Sequence, residues 1–201
     1  MKSVMFCLSG LLLLVVIIAG CATTRVERIS PEKTVDLSGR WNDSDSRLVA
    51  EEMLKEALAR PWVDNFMKKR GKEPTVIVGT VVNRSHEHIN IETFTKDLER
   101  ELTNSGRVQF VASKGEREEV REERLEQQSQ SSEETAKGLG KEIGADYMLK
   151  GTLNSIQDEE GGTKVVYYQV TLEMVDIETN VKVWFGDKKI KKIVEKSRLG
   201  F

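Results

Sequence analysis

The chain has 201 residues, room for one domain of ordinary size plus a targeting segment, but not for two full domains. Hydrophobic residues make up 38% and charged residues 32%, so the expected core is modest and the surface highly charged. A formal net charge of −2 gives no reason to expect bulk nucleic-acid binding, and two cysteines, two histidines and three prolines exclude a disulfide scaffold, a zinc-finger array and a proline-rich protein.

Residues 1–20 read as a signal peptide. Lys2 supplies a positive start, and Leu11 to Ile18 is an unbroken run of eight apolar residues. The run ends in Ile18-Ala19-Gly20-Cys21, which resembles the lipobox of bacterial lipoproteins. That resemblance implies cleavage before Cys21, a diacylglycerol on its thiol and an acyl chain on its new amino terminus. Several acyl chains anchor stably where one is marginal. Ala22 in place of Asp implies outer-membrane sorting by the enterobacterial rule. Cys7 lies in the removed segment and Cys21 takes the lipid, so no thiol remains for a disulfide. No cofactor is expected beyond these covalent lipids.

Residues 21–43 show no sustained periodicity and read as a lipid-anchored flexible tether. Fully extended, the stretch after Cys21 would reach about 75 Å. Residues 44–201 are then a single globular domain. Ser44 or Asp45 is the predicted cap of a helix with Leu48, Val49, Met53, Leu54, Ala57 and Leu58 on one face. Pro61 ends it or opens a second helix, in which Trp62, Val63, Phe66 and Met67 continue an apolar face.

Thr75 to Val82 is β-branched and nearly all apolar, which predicts a strand covered on both faces. Ile91, Phe94, Leu98 and Leu102 line a helix that Gly106 would end. Arg107 to Ala112 reads as a short strand, and Ser113 as the cap of a helix from Lys114 to about Gln128. Ser131 and Glu134 look like a capping box for a helix with Ala136, Leu139 and Ile143. Tyr147 to Ile156, Val165 to Ile177 and Val181 to about Ile193 read as three antiparallel strands joined by short turns. Val166, Tyr168, Val170, Leu172 and Met174 share one face of the middle strand. The order ααβαβααβββ predicts an α/β (α+β) sandwich, a mixed sheet of about five strands flanked by helices.

His86 and His88 follow the first strand as H-x-H, with no cysteine to complete a metal site, and read as polar loop residues. There is no P-loop, G-x-S-x-G or G-x-G-x-x-G in a fitting context, so no enzyme activity is expected. Two segments concentrate charge. Lys114 to Glu126 has four basic and six acidic residues of thirteen, and Asp187 to Arg198 carries a net +4. For both the plainer reading is solvated surface (for the second, lysines that keep an edge strand from pairing), and a docking surface is the alternative. Arg117, Arg121 and Arg124 on the first, and Lys188, Lys189, Lys191 and Lys192 on the second, are the candidate partner contacts.

Several stretches in order resemble one family. They are Pro61-Trp62 with Phe66, TVIVGTVVNRS (75–85), Phe110-Val111-Ala112-Ser113, REEVREERLEQQ (117–128), GKEIGADYMLKGTL (140–153) and YYQVTLEMVDIETN (167–180) followed by Val183-Trp184. From about Ser44 to Val194 the chain is similar to the LpoB family, lipoprotein activators of bifunctional penicillin-binding proteins. The resemblance implies a fold like the N-terminal domain of TolB. It also implies an outer-membrane lipoprotein facing the periplasm, a monomer that binds the regulatory domain of a peptidoglycan synthase and no nucleic acid. The tether departs from the enterobacterial pattern, being short with Pro31 its one proline. TolB-like domains also occur in envelope assembly and secretion lipoproteins, so a structural role without a synthase partner is the alternative.

Overall fold

The computed structural model describes residues 25–130 and 142–195. Cys21 and the lipobox, Ser131, Glu134, Ala136, Leu139, Lys196 and Arg198 lie outside the described residues. The chain divides into two compact units, residues 1–33 and 34–201. In the first, residues 25–30 are exposed and irregular, and a turn closes with the Lys33 N–H donating to the Ser30 carbonyl at 3.1 Å.

In the second unit, α1 (Asp43–Ala59) starts at a reciprocal cap. The Asn42 side chain accepts the Asp45 N–H at 3.0 Å, and the Asp45 carboxylate accepts the Asn42 N–H at 3.0 Å. The cap is therefore Asn42, not Ser44 or Asp45. Val49, Ala50, Met53, Leu54, Ala57 and Leu58 are buried, whereas Leu48 turns outward. Pro61 is the first residue of α2 (Pro61–Arg70), where it gives up no helical hydrogen bond. Gly71, in the left-handed region at φ +68°, ends α2.

β1 (Thr75–Arg84) buries Val76, Val78 and Val81 but leaves Val82 exposed and Ile77 half-buried. Its second face is covered only in part: Thr75 is buried and Ile77 half-buried, but Val82 is exposed. A bulge between Val78 and Val81 shifts its alternation, so Val81 returns to the core side. α3 (Ile91–Asn104) is capped by the Asn90 side chain and buries Phe94, Leu98 and Leu102 completely. β2 is only Gln109–Phe110. Among its described side chains, α4 (Lys114–Gln130) contains no buried residue.

β3 (Tyr147–Glu160) and β4 (Thr163–Asp176) form a hairpin closed by Gly161 and Gly162, both with positive φ, the conformation a tight right-twisted turn needs. β5 (Lys182–Glu195) follows through a turn at Asn180, φ 61°. β3 and β5 run past the ends expected from their apolar residues, while β4 starts two residues earlier than expected and stops one short, at Asp176. The sheet order is β2-β1-β3-β4-β5, with β1 parallel to both its neighbours and the rest antiparallel. The result is a five-stranded mixed α+β sheet.

One sheet face packs on α1, α2 and α3. It contributes Leu149, Leu153, Val166, Tyr168, Val170, Leu172, Met174 and Trp184 to the core. Each such aliphatic contributes roughly 1.5–3 kcal/mol on burial. Tyr147 meets Trp62 and Phe66 edge-on at 4.9 and 5.6 Å.

The folded unit begins at Thr34, not Ser44. Trp41 sits edge-on to Phe94 and Tyr168 at 6.1 and 5.5 Å, and its indole N–H donates to Ser46 at 2.8 Å. Residues 34–42, expected in the tether, are a strap docked on this unit.

Candidate functional site

Strand alternation separates the four candidate lysines of β5. Lys188 and Lys192 lie on the helix-covered side, and Lys189 and Lys191 on the open side. Lys188 pairs with Glu52 of α1. Lys192, 10% exposed at its side chain, reaches Asp45 at 2.7 Å, Asp36 at 2.6 Å and the Arg40 carbonyl at 3.2 Å. It ties the strap, the first turn of α1 and β5 together. Burial opposes its charge, yet the bonds to Asp36 and Asp45 outweigh that and raise its pKa. The Lys192 bond lowers Asp36, while burial raises Asp45 against the bonds it accepts. Lys192 is thus a structural side chain. Lys189 makes an exposed pair with Asp187 at 3.1 Å, and Lys191 is exposed.

On α4, Arg117, Arg121 and Arg124 recur at i, i+4 and i+7, which puts them on one side of the helix. All three converge on Glu142, just before β3. Arg121 holds it through two bonds of 2.7 Å, and Arg117 and Arg124 stand at 3.9 and 3.8 Å. The Arg121 bonds lead in drawing the Glu142 pKa down. The arginines are engaged within the chain. At 100° per residue, Glu119, Glu122 and Glu126 occupy the opposite, exposed side. The outward surface of α4 is therefore acidic.

His86 and His88 lie in the loop from β1 to α3, beside a cavity of about 590 Å³ that Arg40, Trp41, Gln157 and Lys164 also line. The His86 backbone N–H donates to the Ser155 hydroxyl at 3.0 Å, and its Nδ1 lies 3.1 Å from the same oxygen. Among the described residues no group of three His, Cys, Asp or Glu side chains could hold a metal ion. Next to this loop, the Tyr168 hydroxyl donates to Glu87 at 2.6 Å, with the Gly39 carbonyl a second acceptor at 3.0 Å. Burial and the Glu87 bond raise the Tyr168 pKa. Glu87 also accepts the Trp41 N–H at 3.1 Å. Sequence reasoning missed this network; an isolated tryptophan in a supposed tether was its one visible sign.

The family profile of the peptidoglycan-synthase activator LpoB matches residues 45–190. No curated protein matches the chain. Solved structures do resemble it. Lipoprotein GNA1162 from Neisseria meningitidis is 16% identical with a TM-score of 0.41, over 63% of this chain and 88% of that one. The LpoB C-terminal domain from Salmonella enterica is 20% identical with a TM-score of 0.31, over 68% and 94%. That from Escherichia coli is 17% identical with a TM-score of 0.34, over 65% and 95%.

Proposed function

The chain belongs to the LpoB family of peptidoglycan-synthase activators, and from that membership we propose that it binds and activates a bifunctional penicillin-binding protein. The match over residues 45–190 carries the proposal, because it takes in every element from α1 into β5. The partner region would be the synthase's periplasmic regulatory domain. Cys21 would carry diacylglycerol and an N-acyl chain, holding the protein on the outer membrane and facing the periplasm. The role is binding without catalysis.

We assign the contact to α4. It is the one helix among the described residues that buries no side chain, and among those residues no ion pair or side-chain hydrogen bond engages the outward carboxylates of Glu119, Glu122 and Glu126. Exposed charges at a contact rim chiefly set the association rate, so binding should slow as salt rises.

The test mixes the lipoprotein in detergent with the organism's own synthase and follows both affinity and glycan polymerisation. The expected result is binding together with a faster synthase. Reversing Glu119, Glu122 and Glu126 to Lys should weaken binding while the circular dichroism stays unchanged. In cells, Cys21→Ser should accumulate as an uncut precursor without lipid label. No binding at micromolar concentrations and no change in synthase rate would reject the activator role; normal processing of Cys21→Ser would reject the anchor.

A further inference from the structure

The sheet face turned away from α1, α2 and α3 carries an apolar stripe. On this face Ile156 pairs with Tyr167, which pairs with Lys191; in the next row Asp158 pairs with Val165, which pairs with Ile193. Ile156, Tyr167, Val165 and Ile193 therefore run diagonally across three strands. Ile156 and Ile193 are 65% and 66% exposed, the highest values for a large apolar residue on any described strand. A single exposed apolar side chain is ordinary, but a contiguous stripe marks an interaction surface.

Nearest the stripe, charge is sorted by sign: Lys191 and Lys189 stand on one side, with Asp187 beyond them, and Asp158, Glu160 and Glu195 on the other, all exposed. Strands lie about 4.8 Å apart and alternate residues about 6.8 Å along a strand. On that grid Lys191 and Asp158 each stand about 5.5 Å from the axis of the stripe, and Lys189 and Glu160 each about 11 Å. Turning a second copy by 180° about that axis lays stripe on stripe. Each Lys191 then faces the second copy's Asp158, and each Lys189 faces its Glu160.

We propose that this face binds a second copy of the same chain through an isologous, two-fold contact. A uniformly acidic partner would meet Asp158 and Glu160, and a uniformly basic one would meet Lys189 and Lys191. The surface that complements this one is itself, turned over. The Lys189–Asp187 pair does not block the contact, because an exposed pair exchanges partners at little cost. The footprint, three strands by seven residues, is about 300 Å², well below the roughly 800 Å² per partner of a stable complex. The dimer is accordingly weak: the monomer that the family resemblance implies prevails in dilute solution, and the pair forms where copies are concentrated.

The test uses the full chain in its own cells and does not depend on a synthase. Tyr167 and Val165 stand beside the two-fold axis, so Tyr167→Cys and Val165→Cys should each give a covalent dimer with a membrane-permeant bis-maleimide whose span matches the roughly 10 Å between packed sheets. Glu178→Cys, in the turn after β4, should not, and the unsubstituted chain is the blank for Cys7 and Cys21. Adding Lys191→Glu or Asp158→Lys to Tyr167→Cys should lower the dimer yield about fivefold. Adding both should restore it, which only a partner carrying the same two residues allows. A double reversal as poor as either single one overturns the proposal. So does a Tyr167→Cys chain that cross-links to a different protein, or one that dimerises no better than Glu178→Cys.

Discussion

Lys191 and Lys192 are consecutive on β5 and face opposite sides of the sheet. Lys191 extends from the open face into water. Lys192 is held between two carboxylates, one of which, Asp45, is nearly as enclosed as the lysine. Removing one member of a buried pair leaves an uncompensated charge, and that outweighs the loss of the pair itself. Lys192→Met should therefore cost residues 34–201 about 3–5 kcal/mol in urea unfolding. Lys191→Met should stay within about 0.5 kcal/mol, as for most surface substitutions. Equal unfolding midpoints for the two variants would remove the structural role assigned to Lys192.

At the scale of the element, α4 is held among the described residues by polar contacts at its start and along one side, and not by a core. Its apolar residues Val120 and Leu125 are 46% and 54% exposed. At the amino end the Glu116 carboxylate accepts from Lys96 and from the Ser113 N–H, at 2.7 and 2.8 Å. The Lys96 bond leads, and together they pull the Glu116 pKa down to about 2. A carboxyl depressed in the fold stabilises it above its ordinary value and loses that contribution as pH falls toward the folded value. The start of α4 should thus loosen from about pH 4.5 down to about pH 2. Both ion-pair partners are largely exposed, so the effect is local. Amide protection at Arg117, whose N–H donates to the Ser113 carbonyl, reports it. Glu116→Gln should show the loosening already at neutral pH. Protection that holds unchanged to about pH 2.5 would separate Glu116 from the stability of α4.

For the whole molecule, docking of the strap moves the boundary between tether and fold. Trp41, Gly39 and Asp36 all bond or pack within the unit that begins at Thr34. A protein begun at residue 44 lacks Trp41 between Phe94 and Tyr168, the Gly39 acceptor for Tyr168 and the Asp36 carboxylate for Lys192. Losing a packed tryptophan typically costs about 3 kcal/mol or more. Residues 44–201 should therefore melt about 6–12 °C below residues 34–201 in scanning calorimetry; identical melting temperatures would show that the strap adds nothing. With the anchor proposed at Cys21, residues 22–33 rather than 22–43 would separate it from the folded unit, a greatest reach of about 40 Å instead of about 75 Å.

Local pattern was enough to read most of the secondary structure. The strict alternation from Val166 to Met174 set which side of β4 is buried, and Phe94, Leu98 and Leu102 did the same for α3. Gly161-Gly162 supplied the turn, because those torsions are cheap only for glycine. These signals act between residues one to four positions apart, so they are legible in one strand of text. The family was legible for a similar reason, in short stretches that keep their order. Tertiary structure alone decided what the charges do. Lys192 meets Asp36 and Asp45 across separations of 156 and 147 residues, and Arg121 meets Glu142 only because α4 returns beside the start of β3. A lysine clamped in the fold and a lysine free in water have the same sequence neighbourhood. What separates them is which side of the sheet the helices cover, a property that exists only once the chain has packed.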